Sequence, residues 1–262
     1  MNGLQNVLQR VPGKGIALPL AVLVAAEIGH HLSDYHSDAL AAPSQIVPAW
    51  FEALGDGTLA VMTMQTLATA LGGLSIGIAV GLIFGVVFAI FPVIDRLMMV
   101  MTESLRPIPS VALFPIAMLT FGLGYRMEIS VVAFSTVWPV LLLTRAAIRG
   151  IDTTLLEVAR VLRLSVWQRI VKIILPAIVP RVFVAIRLAA GVSLIVAITI
   201  EIAANPLGLG AGMMIASQSL RSDLMFALLL WIGVVGWTFN ALLRHLQGVL
   251  FGPMSRELET PP

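Results

Sequence analysis

Long apolar segments of the length that crosses a lipid bilayer recur along this chain, and they constrain its fold more than any other feature. A transmembrane helix needs about 20 largely apolar residues. The candidate segments are residues 16–32, 59–91, 94–121, 129–148, 182–204 and 224–243, and the third is interrupted by Pro107 and Pro109. The sequence therefore predicts an all-α membrane protein with six transmembrane helices.

Composition supports a membrane protein without a soluble domain. Of the 262 residues, 58% are hydrophobic and 11% are charged, whereas a soluble domain carries about 25% charged residues. The polar stretches are too short to build a core of their own, so residues 1–262 are predicted to form one transmembrane domain. The sequence contains no Walker A or HExxH pattern, so we expect the energy for any transport to come from a partner or a gradient.

Other site chemistries have little support in the sequence. The absence of cysteine excludes disulfides and Cys-ligated metal sites. Basic residues are not interleaved with aromatic ones, which argues against a nucleic-acid partner. We therefore predict no catalytic residue and no metal site.

The distribution of Lys and Arg predicts the orientation. If the N-terminus is cytoplasmic, most basic residues fall inside, and only Arg126 and Arg221 fall clearly outside. The predicted inner residues are Arg10, Lys14, Arg96, Arg145, Arg149, Arg160, Arg163, Arg169, Lys172, Arg181, Arg244 and Arg256. We expect an inner-membrane protein with both termini in the cytoplasm. A cleaved signal peptide at residues 16–32 is the alternative for the first segment.

A charged segment, residues 157–176, lies between the fourth and fifth predicted spans. A helix is predicted at residues 153–164, with Asp152 or Thr153 as its N-cap. Apolar residues recur along it at three- and four-residue steps, namely Leu155, Leu156, Ala159, Leu162 and Leu164. This stripe favours either docking into the groove of a partner protein or binding to lipid headgroups.

The spacing within this segment resembles the EAA signature of ABC importer permeases. That signature reads E-A-A, three residues, G, nine residues, I-x-L-P. Glu157, Ala159, Ile173 and the pair Leu175–Pro176 match it in register, whereas Val158 replaces an alanine and Arg163 replaces the glycine. This glycine marks the bend after the short helix, so Arg163 leaves the geometry of the turn open. A residue other than glycine can make the bend where its φ stays negative, and the alternative is that Arg163 serves as a polar contact.

Other stretches extend the resemblance to most of the chain. Residues 105–110 and 121–124, and Glu201 with residues 205–210, are similar to permeases of the nitrate, taurine and alkanesulfonate group. This resemblance implies a type I permease fold and a coupling helix that docks on an ATPase. It assigns that contact to Glu157, Ala159, Leu162, Arg163 and Leu164.

The resemblance also implies the partners. They are a second permease copy in a homodimer, two ABC ATPase subunits and an extracytoplasmic binding protein, in a surrounding lipid membrane. ATP and Mg are expected on the ATPases, and this chain is expected to hold no cofactor and to be no enzyme. The implied substrate is a small anion such as a sulfonate, taurine, nitrate or bicarbonate.

Three residues are candidates for the substrate pathway or a gate. Glu201 ends an apolar run before a glycine-rich turn, and ionisable residues inside a membrane are costly unless they have a role. Arg106 lies beside Pro107 and Pro109, and its planar guanidinium suits a carboxylate, sulfonate or nitrate. Asn205 opens the turn that follows Glu201. Structural roles remain open, namely an ion pair or helix cap for Glu201 and a headgroup contact for Arg106.

Two other functional classes compete with an ABC permease. A gradient-driven secondary transporter usually carries inverted repeats, and no convincing repeat is present. An intramembrane enzyme would need a facing reactive pair, such as Ser and His, that the spans do not offer. Within the permease class, riboflavin, a vitamin precursor or an aromatic carboxylate remain alternative substrates.

Overall fold

The protein is helical throughout the part that the computed structural model describes, which is residues 21, 23–25, 27–29 and 41–251. Numbered along this part, the helices are α1 (Pro43–Gly55), α2 (Thr58–Ile90), α3 (Pro92–Leu105), α4 (Phe114–Phe121), α5 (Tyr125–Arg149), α6 (Thr153–Val161), α7 (Val166–Arg169), α8 (Leu175–Ala203), α9 (Leu209–Gln218) and α10 (Ser222–Phe251). A 3₁₀ turn at Ser110–Leu113 precedes α4, and a π-helix at Ile170–Ile174 joins α7 to α8.

Four helical segments in the described residues are long and apolar enough to cross a membrane. They are Thr58–Ile90, Tyr125–Arg149, Trp167–Ala203 and Ser222–Val249. They agree with the second, fourth, fifth and sixth predicted spans. The second has the predicted length, whereas the other three are longer than predicted because polar ends extend the helices. The predicted first span lies largely outside the described residues, and those of its residues that are described are helical.

The predicted third span is not one continuous helix. The helix Pro92–Leu105 and the segment Ser110–Phe121 meet at an angle of 88°, as a broken span or a re-entrant loop. Pro107 and Pro109 lie at the break, where proline removes a backbone donor and restricts the residue before it. Counting this bent pair as one span gives five spans within the described residues.

The chain divides into two compact units. The smaller consists of the chain up to Leu59 together with Met213–Leu230, and the larger of Ala60–Gly212 and the residues from Trp231 onward. In the smaller unit, Ile46 and Ala49 of α1 pack with Ala227 in a buried cluster. The residues predicted to carry function all lie in the larger unit.

Glycines bring α2 and α5 into close contact in the larger unit. A Cβ atom on Gly81 would lie 2.8 Å from the Cβ of Val140, and one on Gly85 would lie 2.8 Å from the Cβ of Thr144. Gly73 and Gly77 face α5 in the same way. The four-residue repeat of glycine in α2 is therefore a helix-packing surface, as the small-residue pattern predicts.

Two buried clusters hold α5 against α8 at opposite ends. Met127 and Val131 of α5 pack with Ala197 and Ile200 of α8 in one cluster. In the other, Ile148 near the end of α5 packs with residues that include Ile174 and Ile178. These two ends carry the sites described below.

Candidate functional site

The charged segment between α5 and α8 begins with a short, well-capped helix. Asp152 Oδ1 accepts a hydrogen bond of 2.9 Å from the backbone N–H of Thr154, so Asp152 is the N-cap of α6. This bond holds the pKa of the Asp152 carboxyl below its usual value of 3.8. The helix then runs to Val161, which is shorter than the predicted range of residues 153–164.

Arg163 takes the left-handed conformation that glycine would normally supply. Its φ is +50°, and the N–H of Leu164 donates back to the carbonyl of Ala159 at 3.1 Å. This is the hydrogen bond of a Schellman motif, which usually places glycine at the Arg163 position. The bend at Arg163 is therefore made with a positive φ, and not with the negative φ that suits a residue other than glycine. A residue with a Cβ in this conformation costs roughly 1–2 kcal/mol.

A second capped turn follows at once. The N–H of Ser165 donates to Gln168 Oε1 at 3.0 Å, and the N–H of Gln168 donates to Ser165 Oγ at 3.3 Å. This reciprocal pair is a capping box, which fixes where α7 begins. The segment between α6 and α7 is therefore defined by its own local hydrogen bonds.

The predicted ATPase contacts on α6 and in the turn that follows it divide into exposed and buried side chains. Glu157 and Arg163 are exposed, and Leu162 has 63% of its surface exposed. Ala159 is buried at 2% exposure, and Leu164 is half-buried. The exposed group could face a partner, whereas Ala159 packs inside this chain.

A buried polar network lies where α5 begins and α8 ends, at the ends of these helices that are away from the charged segment. Glu128, in the first turn of α5, is fully buried. Its Oε1 accepts a hydrogen bond of 2.5 Å from the Thr69 hydroxyl, and its Oε2 accepts one from the Asn205 side-chain amide. A carboxylate is therefore held by donors from α2 and from the turn after α8.

Glu201 belongs to the same buried region and contacts the start of α9. Its Oε2 accepts a hydrogen bond of 2.8 Å from the N–H of Gly210. Gly208 has a φ of +94°, and a Cβ there would overlap the Glu201 carboxylate. The glycine is thus required both by the backbone conformation and by the close approach of Glu201.

Side chains of α2 complete the capping of α9. Gln65 Oε1 accepts from the N–H of Gly208 at 3.0 Å, and Thr66 Oγ1 accepts from the N–H of Leu209 at 2.9 Å. The first N–H groups of a helix have no partner within it. In the membrane these groups need protein acceptors, and the network supplies them.

The network leaves two buried acceptor atoms without a partner. Glu201 Oε1 and Asn205 Oδ1 have no hydrogen bond within the described residues, and both side chains are 2% exposed. Within the same part of the chain, neither Glu128 nor Glu201 forms an ion pair with a basic side chain. The predicted pathway or gate role of Glu201 and Asn205 remains a prediction.

Sequence reasoning did not identify Glu128 as part of this site. It stands immediately before the predicted fourth span, residues 129–148, where an acid suits a helix N-terminus. Its importance follows from burial and from partners 59 and 77 positions away. An acid beside a span boundary was the only signal that pointed to it.

Arg106 lies apart from this network and between two cavities. The larger has a volume of about 500 Å³, and its lining includes Arg106, Ser110, Phe134 and Trp138. The smaller, of about 370 Å³, includes Arg106, Trp138 and Arg145. The Arg106 side chain is exposed and makes no hydrogen bond or ion pair within the described residues. Its guanidinium is available to a ligand in either cavity.

Comparisons with known proteins agree with this architecture. Residues 77–253 match the family described as the binding-protein-dependent transport system inner membrane component. The riboflavin transport system permease protein RibX of Chloroflexus aurantiacus is 32% identical over 246 residues, which cover 93% of this chain and 92% of the relative. The SsuC permease of Bacillus subtilis, named for aliphatic sulfonates transport, is 29% identical over 242 residues, with 89% and 85% covered.

A solved structure shares the fold. The permease-like chain in inward-facing conformations of the MetNI methionine ABC transporter superposes with a TM-score of 0.64 at 18% identity, covering 71% of this chain and 93% of that chain. At this identity the match concerns the fold alone. The family match covers well over half of this sequence, and the chain therefore belongs to the binding-protein-dependent inner-membrane permeases, the membrane subunits of ABC importers, which leave ATP hydrolysis to a separate ATPase subunit.

Proposed function

We propose that this permease translocates a small anion and that Arg106 contacts the anion on its way. The observation that carries the proposal is the position of Arg106, whose unpaired guanidinium borders cavities of about 500 Å³ and 370 Å³. A planar guanidinium binds carboxylate, sulfonate or nitrate groups through paired hydrogen bonds. Arg106 lies within the predicted third span, residues 94–121, and an ionisable side chain inside the membrane is expensive unless it has such a role.

The names of relatives support the same substrate class. Besides the SsuC permease named for sulfonates, a nitrate import permease of Leptolyngbya laminosa is 30% identical over 180 residues. A bicarbonate transport permease of Synechococcus elongatus is 34% identical over 148 residues. Sulfonate, nitrate and bicarbonate are all small anions, so a single arginine could serve each of them.

The proposed assembly contains two copies of this chain, two ATPases and one extracytoplasmic binding protein. Each copy has both termini in the cytoplasm, as the distribution of Lys and Arg predicts. The exposed side of α6, with Glu157 and Leu162, docks on an ATPase that holds ATP and Mg. Closure of the two ATPases then drives the permease pair between inward-facing and outward-facing states. The exposed apolar side chains on α6 support this contact, because such a surface suits a partner protein.

A transport assay with the reconstituted complex tests the role of Arg106. We expect Arg106→Gln to reduce uptake of the anion and its stimulation of ATP hydrolysis by at least about tenfold, since a charge-assisted hydrogen bond is lost. Arg106→Lys keeps the charge but not the planar fork, so an intermediate loss is expected. Arg244→Gln is the matched control, because Arg244 is exposed and borders neither cavity.

The outcome separates a substrate contact from a structural role. If Arg106→Gln transports the anion as well as the Arg244→Gln control does, Arg106 is not a substrate contact and the proposal fails. Basal ATP hydrolysis and the yield of assembled complex are measured in parallel. They must remain at the wild-type level for a loss of transport to be read as a loss of binding.

An aromatic substrate is the second candidate. Phe134 and Trp138 form an edge-to-face pair with centroids 5.5 Å apart, and both line the larger cavity. Aromatic side chains provide a surface on which a flat ring can stack. RibX, with 92% of its length covered, is named for riboflavin transport. Uptake of riboflavin that is retained in Arg106→Gln and lost in Trp138→Ala would favour this candidate over the anion.

A further inference from the structure

A third cavity lies where α2 and α5 end and where the chain returns from the charged segment. It has a volume of about 370 Å³, and its lining includes Ile90, Phe91, Arg149, Arg169 and Ile174. The only ionisable side chains in its lining are the two arginines, and the other lining residues are apolar. The cavity thus combines an apolar wall with two positive charges.

The charges in this corner are only partly neutralised. Asp95 Oδ2 accepts from Arg149 at 2.6 Å and from Arg145 at 2.7 Å, so one carboxylate serves two guanidinium groups. Arg169 brings a further positive charge, and its side chain forms no ion pair within the described residues. Asp95 and these three arginines together leave an excess of positive charge at this end of the helices.

Arg149 has a structural explanation, but Arg169 has none. Arg149 lies in the last turn of α5, where the helix dipole favours a cation, and it pairs with Asp95. In contrast, Arg169 Nε is buried and has no acceptor within the described residues. A buried donor without a partner destabilises the protein. An acceptor group that enters the cavity would remove that cost.

The backbone beside Arg169 is also unusual. A π-helix follows at Ile170–Ile174, and the N–H of Leu175 donates to the carbonyl of Ile170. Single π-helical turns occur often at functional sites. Here the π-helix includes Ile170 and Ile174, which both line the cavity. The irregular backbone therefore forms part of the cavity wall.

We propose that this cavity binds the phosphate group of an anionic phospholipid from the cytoplasmic leaflet. Arg149 and Arg169 would hold the phosphate, and an acyl chain would lie against the isoleucines. Basic pockets between transmembrane helices on the cytoplasmic side bind such headgroups. The choice of a lipid over free phosphate rests on the apolar wall, because inorganic phosphate gains nothing from it.

The position of the cavity suggests the consequence of lipid binding. Arg149 ends the helix before the charged segment, and Arg169 ends the short helix after it. A lipid held by both would brace the two ends of the segment that carries α6. The bound lipid therefore supports the transfer of movement from the ATPase to α8. This consequence rests on the proposed orientation and on the proposed docking of α6.

The test measures lipid that remains bound to the complete complex of permease and ATPase. The complex is assembled in nanodiscs of phosphatidylcholine and phosphatidylglycerol, transferred to detergent and washed. Native mass spectrometry then counts the retained lipids. We expect wild type to retain phosphatidylglycerol selectively. Arg169→Gln should weaken retention of phosphatidylglycerol by roughly fivefold. The double variant with Arg149→Gln and Arg169→Gln should weaken this retention further. The matched control, Arg244→Gln, should retain lipid as wild type does.

Further arms keep the result interpretable. Arg169→Lys preserves the charge and should retain more lipid than Arg169→Gln, and recovery of the assembled complex reports on folding. Inorganic phosphate at constant ionic strength is added as a competitor and should displace the lipid only weakly. Equal retention by wild type and Arg169→Gln, or displacement by phosphate as strong as that by soluble phosphatidylglycerol, would overturn the proposal. Because no transport is measured, failure of the proposed anion import would leave this result unaffected.

Discussion

The Asn205 side chain, two residues after the end of α8, donates a hydrogen bond to the fully buried carboxylate of Glu128 in the first turn of α5. The two residues are 77 positions apart in the sequence. Thr69 of α2 holds the other oxygen of the same carboxylate. One buried acid thus joins three parts of the helical assembly through directed hydrogen bonds.

We expect Asn205→Ala to destabilise the protein. The change removes a donor from Glu128, and an under-bonded buried polar group costs about 1–3 kcal/mol. Thermal unfolding of the purified protein in detergent, followed by intrinsic fluorescence, measures the effect. Asn240→Ala is the control because Asn240 is exposed. A midpoint for Asn205→Ala equal to that of the control would contradict the stabilising role of the bond.

Variants of Glu201 separate its contact with α9 from a role in transport. Glu201→Gln keeps an oxygen that can accept from the N–H of Gly210, so we expect a stability close to wild type. Glu201→Leu removes that acceptor and should lower stability by about 1–2 kcal/mol. The gate role is tested by measuring substrate-stimulated ATP hydrolysis of the Glu201→Gln complex. If Glu201 is part of a gate, this rate should differ from that of wild type. Wild-type hydrolysis would remove Glu201 from the pathway and leave it as a helix cap.

Glycine at position 163 should relieve strain at the end of α6. Because Arg163 has a φ of +50°, Arg163→Gly is expected to stabilise the local turn by about 1 kcal/mol. Arg163→Ala removes the same side chain but keeps the Cβ. The difference between the two variants therefore isolates the free-energy cost of a positive φ at a residue with a Cβ. Amide hydrogen exchange of residues 153–165 is the measurement. Slower exchange in Arg163→Gly than in Arg163→Ala is expected, and equal rates would count against strain at this position.

Charge reversal at Glu157 tests the docking of α6 on the ATPase. Glu157 is exposed, so Glu157→Lys should leave insertion and folding intact. We expect it to reduce co-purification of the ATPase or to uncouple ATP hydrolysis from transport, because a like charge would face the partner site that accepts the acid. Glu52→Lys, an exposed acid of α1, is the control. Unchanged co-purification together with unchanged transport would exclude Glu157 from the contact.

The cap at Asp152 should make the start of α6 sensitive to acid. The pKa of the Asp152 carboxyl is lowered in the folded state by the hydrogen bond from Thr154. The ionised carboxyl therefore stabilises the helix at pH values above 3.8, the usual pKa of this group. That contribution is lost as the pH falls through the lowered folded-state pKa. Hydrogen exchange at residues 153–157, corrected for intrinsic rates, should show the loss in wild type. Asp152→Asn, which caps without titrating, should not show it.

Much of the fold followed from local sequence. The lengths of the apolar segments predicted α2, α5, α8 and α10, because crossing a bilayer fixes the length of a helix. The capping residues Asp152 and Thr153 predicted a short helix from residue 153, where the structure begins α6. Each of these features depends on residues that are close together in the chain.

The remaining features depend on contacts between distant segments. The 88° bend between residues 105 and 110 could be located from two prolines, but its angle is set by the helices around it. At Arg163 the glycine of the signature is missing, so the sequence left the sign of φ open, and the structure shows a φ of +50°.

Local sequence was enough to identify the chain as a multi-span α-helical permease and to place the beginning of α6. These properties follow from hydrophobic length and from a short motif, which act within a single segment. Long-range packing, in contrast, was needed to show that Glu128 accepts a hydrogen bond from Asn205 and that Glu201 contacts the start of α9. It also decided that Arg106 borders two cavities. Such relationships arise when buried polar groups must find partners that the membrane cannot provide, and those partners lie on other helices.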